Sequence, residues 1–413
     1  MKTVIRSTAA LTSAHAAGYL ISLAEVPILA RALGASAYGE LVWVQATALL
    51  ASIVVDYGFN LSAAREIAIR KNDPIFLKKL CGDVFLAKLL MLSLITLPIL
   101  AAYWIFTPVS AGMAAAGFLY FVGFGLTPFW YFQGMERMGR AVAIETTARL
   151  LALCSLFLFV NSPQDKTLGL TIMAVSFAIS TTIAIGMCRF EVGSFKGSIS
   201  GAIAQIKSST AFFVYKSSNQ IMTTAATTVL GIVADKTIVG IFAPTEKVVK
   251  AIIGIPLPIF QAFYPYLSRL FVENRSQQNR QALILITLIT AGGMAAAITL
   301  FFIGPSLMHL LLGPGYAAVN ELLRLMVWLI PLRLLNQTLG FAVLLPAHLE
   351  HKAGIATLWS SAIALASGTY FASLYSPTQG ATGMVLGLLI GELVLVAALL
   401  WLCRHGLVSR IQT

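Results

Sequence analysis

The chain alternates long apolar stretches with short polar gaps. About twelve stretches reach membrane-spanning length, near residues 9–33, 41–59, 85–106, 111–132, 141–160, 168–188, 211–233, 238–267, 282–304, 322–345, 353–374 and 380–402. A helix rises about 1.5 Å per residue, so about 20 apolar residues cross the hydrocarbon core with every backbone group satisfied internally. The pattern predicts an all-α integral membrane protein of about twelve transmembrane helices. The longest polar gap, 189–210, lies near the middle. Within it Ile199, Ile203 and Ile206 recur at helical spacing beside Lys207, which predicts a short interfacial helix. This divides the chain into a six-helix lobe over 1–190, a cytoplasmic linker over 191–210 and a second six-helix lobe over 211–413. Six spans per half let both halves enter from the same side, as in parallel repeats. Gly39 aligns with Gly240 and His15 with Lys216 across the two halves.

Charge sets the orientation. Numbering the gaps along the chain, the even ones hold Arg65, Arg70, Lys71, Lys78, Lys79, Arg137, Arg140, Arg189, Lys196, Lys207, Arg269, Arg275, Arg280 and Lys352, and the tails add Lys2, Arg6, Arg404 and Arg410. The odd gaps hold Lys166 and Lys236, with Arg31 at an edge. Eighteen basic residues thus fall on one side against three on the other, and basic loops stay cytoplasmic. Both termini are therefore expected in the cytoplasm of a bacterial inner membrane protein.

Composition narrows the function classes. Hydrophobic residues make up 58% and charged residues 11% of 413, against about 25% charged in ordinary soluble domains. The spans leave no room for a soluble domain. The net charge of +12 follows from the loop bias, so no nucleic-acid partner is needed to explain it. Cys81, Cys154, Cys188 and Cys403 show no metal-ligand spacing. No segment reads as a nucleotide loop, so neither a cofactor nor a metal is expected.

Polar residues inside the spans are the candidate site, because hydrocarbon makes each of them costly. In the seventh span Lys216, Asn219, Gln220, Thr223, Thr224 and Thr227 recur at spacings of three and four, which puts them on one helix face. That face is either a cavity wall or a helix–helix seam joined by threonines. The eighth span carries Glu246, Lys247 and Lys250; the first and last are four apart and can pair. Glu145 and Arg149 repeat that spacing. Arg333 shares a surface with Asn336 and Gln337 and has no carboxylate at helical spacing, which makes it the leading single cation. Lys88, near a cytoplasmic mouth, is expected to snorkel. Among the carboxylates, Glu25 lies deep in the first span just before Pro27, Asp56 near the cytoplasmic end of the second, and Glu392 within the twelfth. Glu25 and Asp56 are the candidate ion-coupling groups.

Two segments resemble a known family. Pro27-Ile28-Leu29-Ala30-Arg31-Ala32-Leu33-Gly34, followed by Ala37-Tyr38-Gly39, resembles the first hairpin of polysaccharide-export flippases of the multidrug/oligosaccharidyl-lipid/polysaccharide superfamily. Pro128-Phe129-Trp130-Tyr131-Phe132-Gln133-Gly134-Met135-Glu136-Arg137 resembles the signature of Wzx-type O-antigen flippases. The resemblance implies two six-helix lobes around a central cavity. It also implies an undecaprenyl-diphosphate-linked oligosaccharide moved from the cytoplasmic to the periplasmic leaflet by alternating access. Expected partners are that lipid, the surrounding membrane lipids, and a polysaccharide polymerase with chain-length proteins. A flippase needs cations for the phosphates and polar groups for the sugars, since neither loses its hydration freely. Lys216, Asn219, Gln220, Lys247, Lys250, Arg333, Asn336 and Arg31 are the expected substrate-binding residues. Two other readings compete: a drug or cation antiporter of the same superfamily, which would favour a carboxylate-rich cavity, and a membrane-embedded polymerase. The odd gaps are short and nearly uncharged, which argues against an enzyme.

Overall fold

The computed structural model describes the backbone of residues 2–105, 109–316, 318–374 and 379–408. It describes their side chains apart from 2–17, 19, 211, 214–216, 218–219, 222–223, 258, 261–262, 265 and 405–408. Among the described residues all regular structure is helical. The helices are α1 (Lys2–Asp56), α2 (Phe59–Arg70), α3 (Pro74–Ile105), α4 (Ala111–Gly125), α5 (Phe129–Gly134), α6 (Met138–Phe159), α7 (Lys166–Val192) and α8 (Ile199–Val233). They continue as α9 (Lys236–Gly254), α10 (Leu257–Glu273), α11 (Arg275–Leu312), α12 (Val319–Met326), α13 (Leu329–Leu339), α14 (Glu350–Leu374) and α15 (Gly380–Val408). Nine helical stretches among the described residues are long and apolar enough to cross a membrane. The chain is a multi-pass membrane protein.

The helices form two compact units, Met1–Gln220 and Ile221–Thr413, and the boundary falls inside α8. The residues expected to make a separate interfacial helix are instead the first turns of this 35-residue helix. No glycine or proline lies between Ala202 and Leu230 to end it.

In the first unit, α1 bends at Gly34, whose φ of 71° and ψ of 167° break the helix where an L side chain would be strained. Beyond the bend, Tyr38, Leu41, Trp43 and Val44 are fully buried. Tyr103 of α3 packs edge-on to Trp43 and donates to the Val44 carbonyl at 3.1 Å. Lipid tails are as apolar as leucine, so helix association rests on such close packing and hydrogen bonds. The segment from Pro128 to Arg137 makes α5 and its exit. A Cβ on Gly134 would lie 2.6 Å from Ile67 and 2.8 Å from the Ala64 carbonyl, so α5 packs on α2 at glycine range. Glu191 at the end of α7 accepts from Tyr131 (2.8 Å), Arg137 (2.9 Å) and Arg140 (2.8 Å). The motif is thus a clasp joining α2, α5 and α7. The start of α8 belongs to the same unit: Asp83 of α3 accepts from the Ser198 backbone N–H at 2.8 Å, and Ser62 bonds Ser209 at 2.7 Å.

In the second unit, α14 and α15 pair through small residues. A Cβ on Gly387 would lie 2.2 Å from the Gly368 backbone nitrogen, so only glycine permits this approach. The expected eighth span is two helices, α9 and α10, separated at Ile255–Pro256, because proline cannot continue the hydrogen-bond ladder. After α13 the chain widens into a π turn at Gly340–Leu344, and Gln278 of α11 donates to the Ala342 carbonyl there at 2.8 Å.

Candidate functional site: two polar clusters among apolar helices

Among the described residues, the buried charged side chains of the second unit lie on α9, α13 and α15. Glu392 of α15 is 1% exposed. One of its oxygens accepts from Arg333 Nε, and the other accepts from Asn336 Nδ2 at 2.8 Å. Asn336 also donates to the Glu392 backbone carbonyl at 3.2 Å, which fixes its amide orientation and leaves Oδ1 as a buried acceptor with no partner among the described residues. Arg333 and Asn336 are one turn apart on α13, so one carboxylate reaches both. On α9, Glu246 and Lys250 are also one turn apart and pair at 2.9 Å. The Glu246 oxygen that meets Lys250 also accepts from Thr227 of α8 at 2.7 Å. Arg333 and Lys247 lie close enough for their charges to act on Lys250. Arg333 and Glu392 form the buried back of the cluster, while Lys247 and Lys250 are half-buried. Among the described residues of this cluster, three are cations and two are carboxylates.

The first unit has its own cluster. Arg149 of α6 donates from Nη2 to Ser22 at 3.0 Å and to Glu25 at 3.4 Å, both on α1. Its Nη1 lies 3.9 Å from Glu145. The guanidinium carbon sits 5.8 Å from the Phe177 ring centroid on α7, a cation–π contact. Nearby, Gln45 donates to the Tyr120 hydroxyl at 3.2 Å. Two carboxylates share one guanidinium among the described residues of this cluster.

Several expectations change against this geometry. Arg333 does have a counter-ion: Glu392 arrives from a helix distant in sequence, which spacing along α13 does not reveal. Lys88 does not snorkel. It is 1% exposed and donates to the Gly125 and Thr127 carbonyls, each at 3.0 Å, and it lies 3.5 Å from Asp56. Those carbonyls lose their helical partners where α4 stops before Pro128, and a buried amine satisfies them. Asp56 also accepts from Asn60 at 3.0 Å, which makes it part of the same anchor. Arg31 is exposed on the first unit. Gln220 is half-buried at the end of the first unit. The side chains of Lys216, Asn219, Thr223 and His15 lie outside the described residues.

Comparison with known proteins places this arrangement. The model of the family described as "Polysaccharide biosynthesis protein" matches residues 4–271. The chain belongs to that family. A relative from Shigella dysenteriae named "Putative O-antigen transporter" is 26% identical over 398 residues, covering 94% of this chain and 96% of its own length. A protein of the same name from Escherichia coli K12 is 27% identical over 318 residues, covering 75% and 76%. Among solved structures, an inward-facing multidrug resistance MATE transporter of the MOP superfamily aligns with a TM-score of 0.72 at 15% identity, covering 95% of each chain. The lipid II flippase MurJ in an inward closed conformation aligns at 0.70 and 13%, covering 98% of this chain and 91% of the other. This member of the polysaccharide biosynthesis family therefore has the MATE/MurJ fold.

In this family member the sequence did not reveal which buried charges meet. Glu392 and Arg333 each stand without a helical-spacing partner in the same half of the chain, and pairing them by elimination was the available signal. The sharing of Arg149 between Glu25 and Glu145 had half a signal, the four-residue spacing on α6.

Proposed function

We propose that the protein is a flippase that carries lipid-linked oligosaccharide units across the membrane. The carrier lipid is undecaprenyl diphosphate, and the movement runs from the cytoplasmic to the periplasmic leaflet of the bacterial inner membrane by alternating access. The observation that carries this reading is the cationic cluster of the second unit. Basic side chains held among apolar helices are costly, and here they outnumber the carboxylates described beside them, three to two. A diphosphate with attached sugars needs cations and hydrogen-bonding groups together. Lys250 and Lys247, half-buried, are the groups that meet the phosphates; Arg333 and Asn336 back them. The names of the relatives and of the MurJ neighbour support the same cargo class. Both termini lie in the cytoplasm. Glu25 is the coupling carboxylate, and Asp56 anchors Lys88. Lys216, Asn219 and Gln220 remain substrate candidates on the α8 face, as does Arg31 at the periplasmic edge. A polymerase and chain-length proteins are the partners that would receive the product. The protein works without a cofactor and breaks no bond.

The test is translocation of a fluorescent undecaprenyl-diphosphate oligosaccharide in proteoliposomes. Lys250→Gln should lower the rate about tenfold at sub-saturating substrate, the effect of losing one charge-assisted contact. Wild-type protein that moves no such lipid would overturn the reading. The antiporter reading draws on the excess carboxylate of the first unit. It predicts ethidium or sodium efflux from the same vesicles, which the flippase reading does not.

A further inference from the structure

The second-unit cluster contains more counter-charge than a pure anion receptor needs. Glu246 holds Lys250 at 2.9 Å, and the same oxygen is held by Thr227 at 2.7 Å. Glu246 and Thr227 are both buried. The carboxylate is therefore fixed from α8 while it occupies the ammonium group of α9. A phosphate approaching Lys250 meets an amine already engaged by an internal anion. A transporter differs from a receptor here, because its site must bind well enough to load and weakly enough to release on the other side.

We propose that Glu246 is a resident competitor for the lipid diphosphate, positioned by Thr227, and that it sets how readily the substrate leaves. On loading, a phosphate oxygen takes over the Lys250 ammonium. Glu246 stays in place because Thr227 continues to donate to it. On the far side, Glu246 recaptures Lys250 and the phosphate departs. No proton moves and no bond breaks in this exchange. The cluster also explains why Glu246 rather than Glu392 has this part. Both oxygens of Glu392 are committed to Arg333 and Asn336 at the buried back, whereas Glu246 pairs with a half-buried lysine. Glu246 is thus a positioning and release residue that acts through Lys250.

The inference rests on the flippase reading, and its test separates the two. Glu246→Gln keeps an acceptor for Thr227 and removes the charge. The expected result in proteoliposomes is a half-saturating lipid concentration about tenfold lower and a maximal rate several-fold lower, since substrate is held longer. A purely structural role would lower the rate without tightening half-saturation. Glu246→Asp keeps the charge but draws it back from Lys250, so it should give an intermediate shift in the same direction; it decides the matter where Glu246→Gln does not reach the membrane. Unchanged or weakened half-saturation in the variant that is produced, with wild-type protein active, overturns the competitor role. Inactive wild-type protein overturns the flippase reading instead.

Discussion

Arg149 offers the most direct test of how this protein tolerates charge among apolar helices. Its guanidinium is the shared partner of Glu25, Glu145 and Ser22, at 3.4, 3.9 and 3.0 Å. Glu25 is 5% exposed, and the Arg149 side chain is 15% exposed, so water screens this pair little. Arg149→Met keeps much of the length of the side chain and removes the charge. It leaves buried carboxylates without their cation, and breaking a buried pair from one side costs about 3–5 kcal/mol. Adding Glu25→Gln removes the more buried of the two orphaned charges. The double variant should therefore regain roughly 1–3 kcal/mol of the loss, the coupling expected for residues in one network. The assay is reversible unfolding of purified protein in mixed micelles, titrated with dodecyl sulfate, for wild type, both single variants and the double. If Arg149→Met costs less than about 1 kcal/mol, or the two changes simply add, the cluster is not held by its charges and the reasoning fails.

Two further outcomes follow from the same charges. With both termini cytoplasmic, Lys166→Cys should react with an impermeant thiol reagent in whole cells and Lys196→Cys should not; labelling of position 196 alone would invert the topology. With Glu25 as the coupling group, an imposed proton gradient should speed wild-type flipping in proteoliposomes and speed Glu25→Gln less; an equal response in the two removes Glu25 from the coupling step.

The helices were legible in the sequence because hydrocarbon enforces a length and a composition that few other structures share. The expected stretches are mainly helical among the described residues, and nine helical stretches there are long and apolar enough to cross a membrane. What the sequence obscured lies in breaks and in pairings between helices. Ile255–Pro256 divides a run of apolar residues whose hydropathy shows no gap. The α4 break at Leu126–Pro128 requires Lys88, and a lysine near a span end looks the same from sequence whether it snorkels to water or caps a buried helix terminus. Glu392 and Arg333 are far apart along the chain, so no periodicity connects them. Glu246 and Lys250 were visible because both lie on one helix, while the Thr227 hydroxyl that fixes Glu246 comes from the helix before.

The charge inventory of the two units bears on energy. Glu25, Glu145 and Arg149 sum to one negative charge in the first unit, and Glu246, Glu392, Lys247, Lys250 and Arg333 sum to one positive charge in the second. A net negative cluster in hydrocarbon attracts a proton or a small cation, and a net positive one attracts an anion. The two sets of named residues thus differ in the sign of their formal charge. One charge moved through 100 mV is worth about 2.3 kcal/mol, or nearly fiftyfold in an equilibrium. A single coupled cation would therefore bias a cycle substantially. If Glu246 competes for Lys250 as proposed, it keeps the anion site weak enough for that bias to matter, because a site that held the diphosphate more tightly would absorb the gain in slow release.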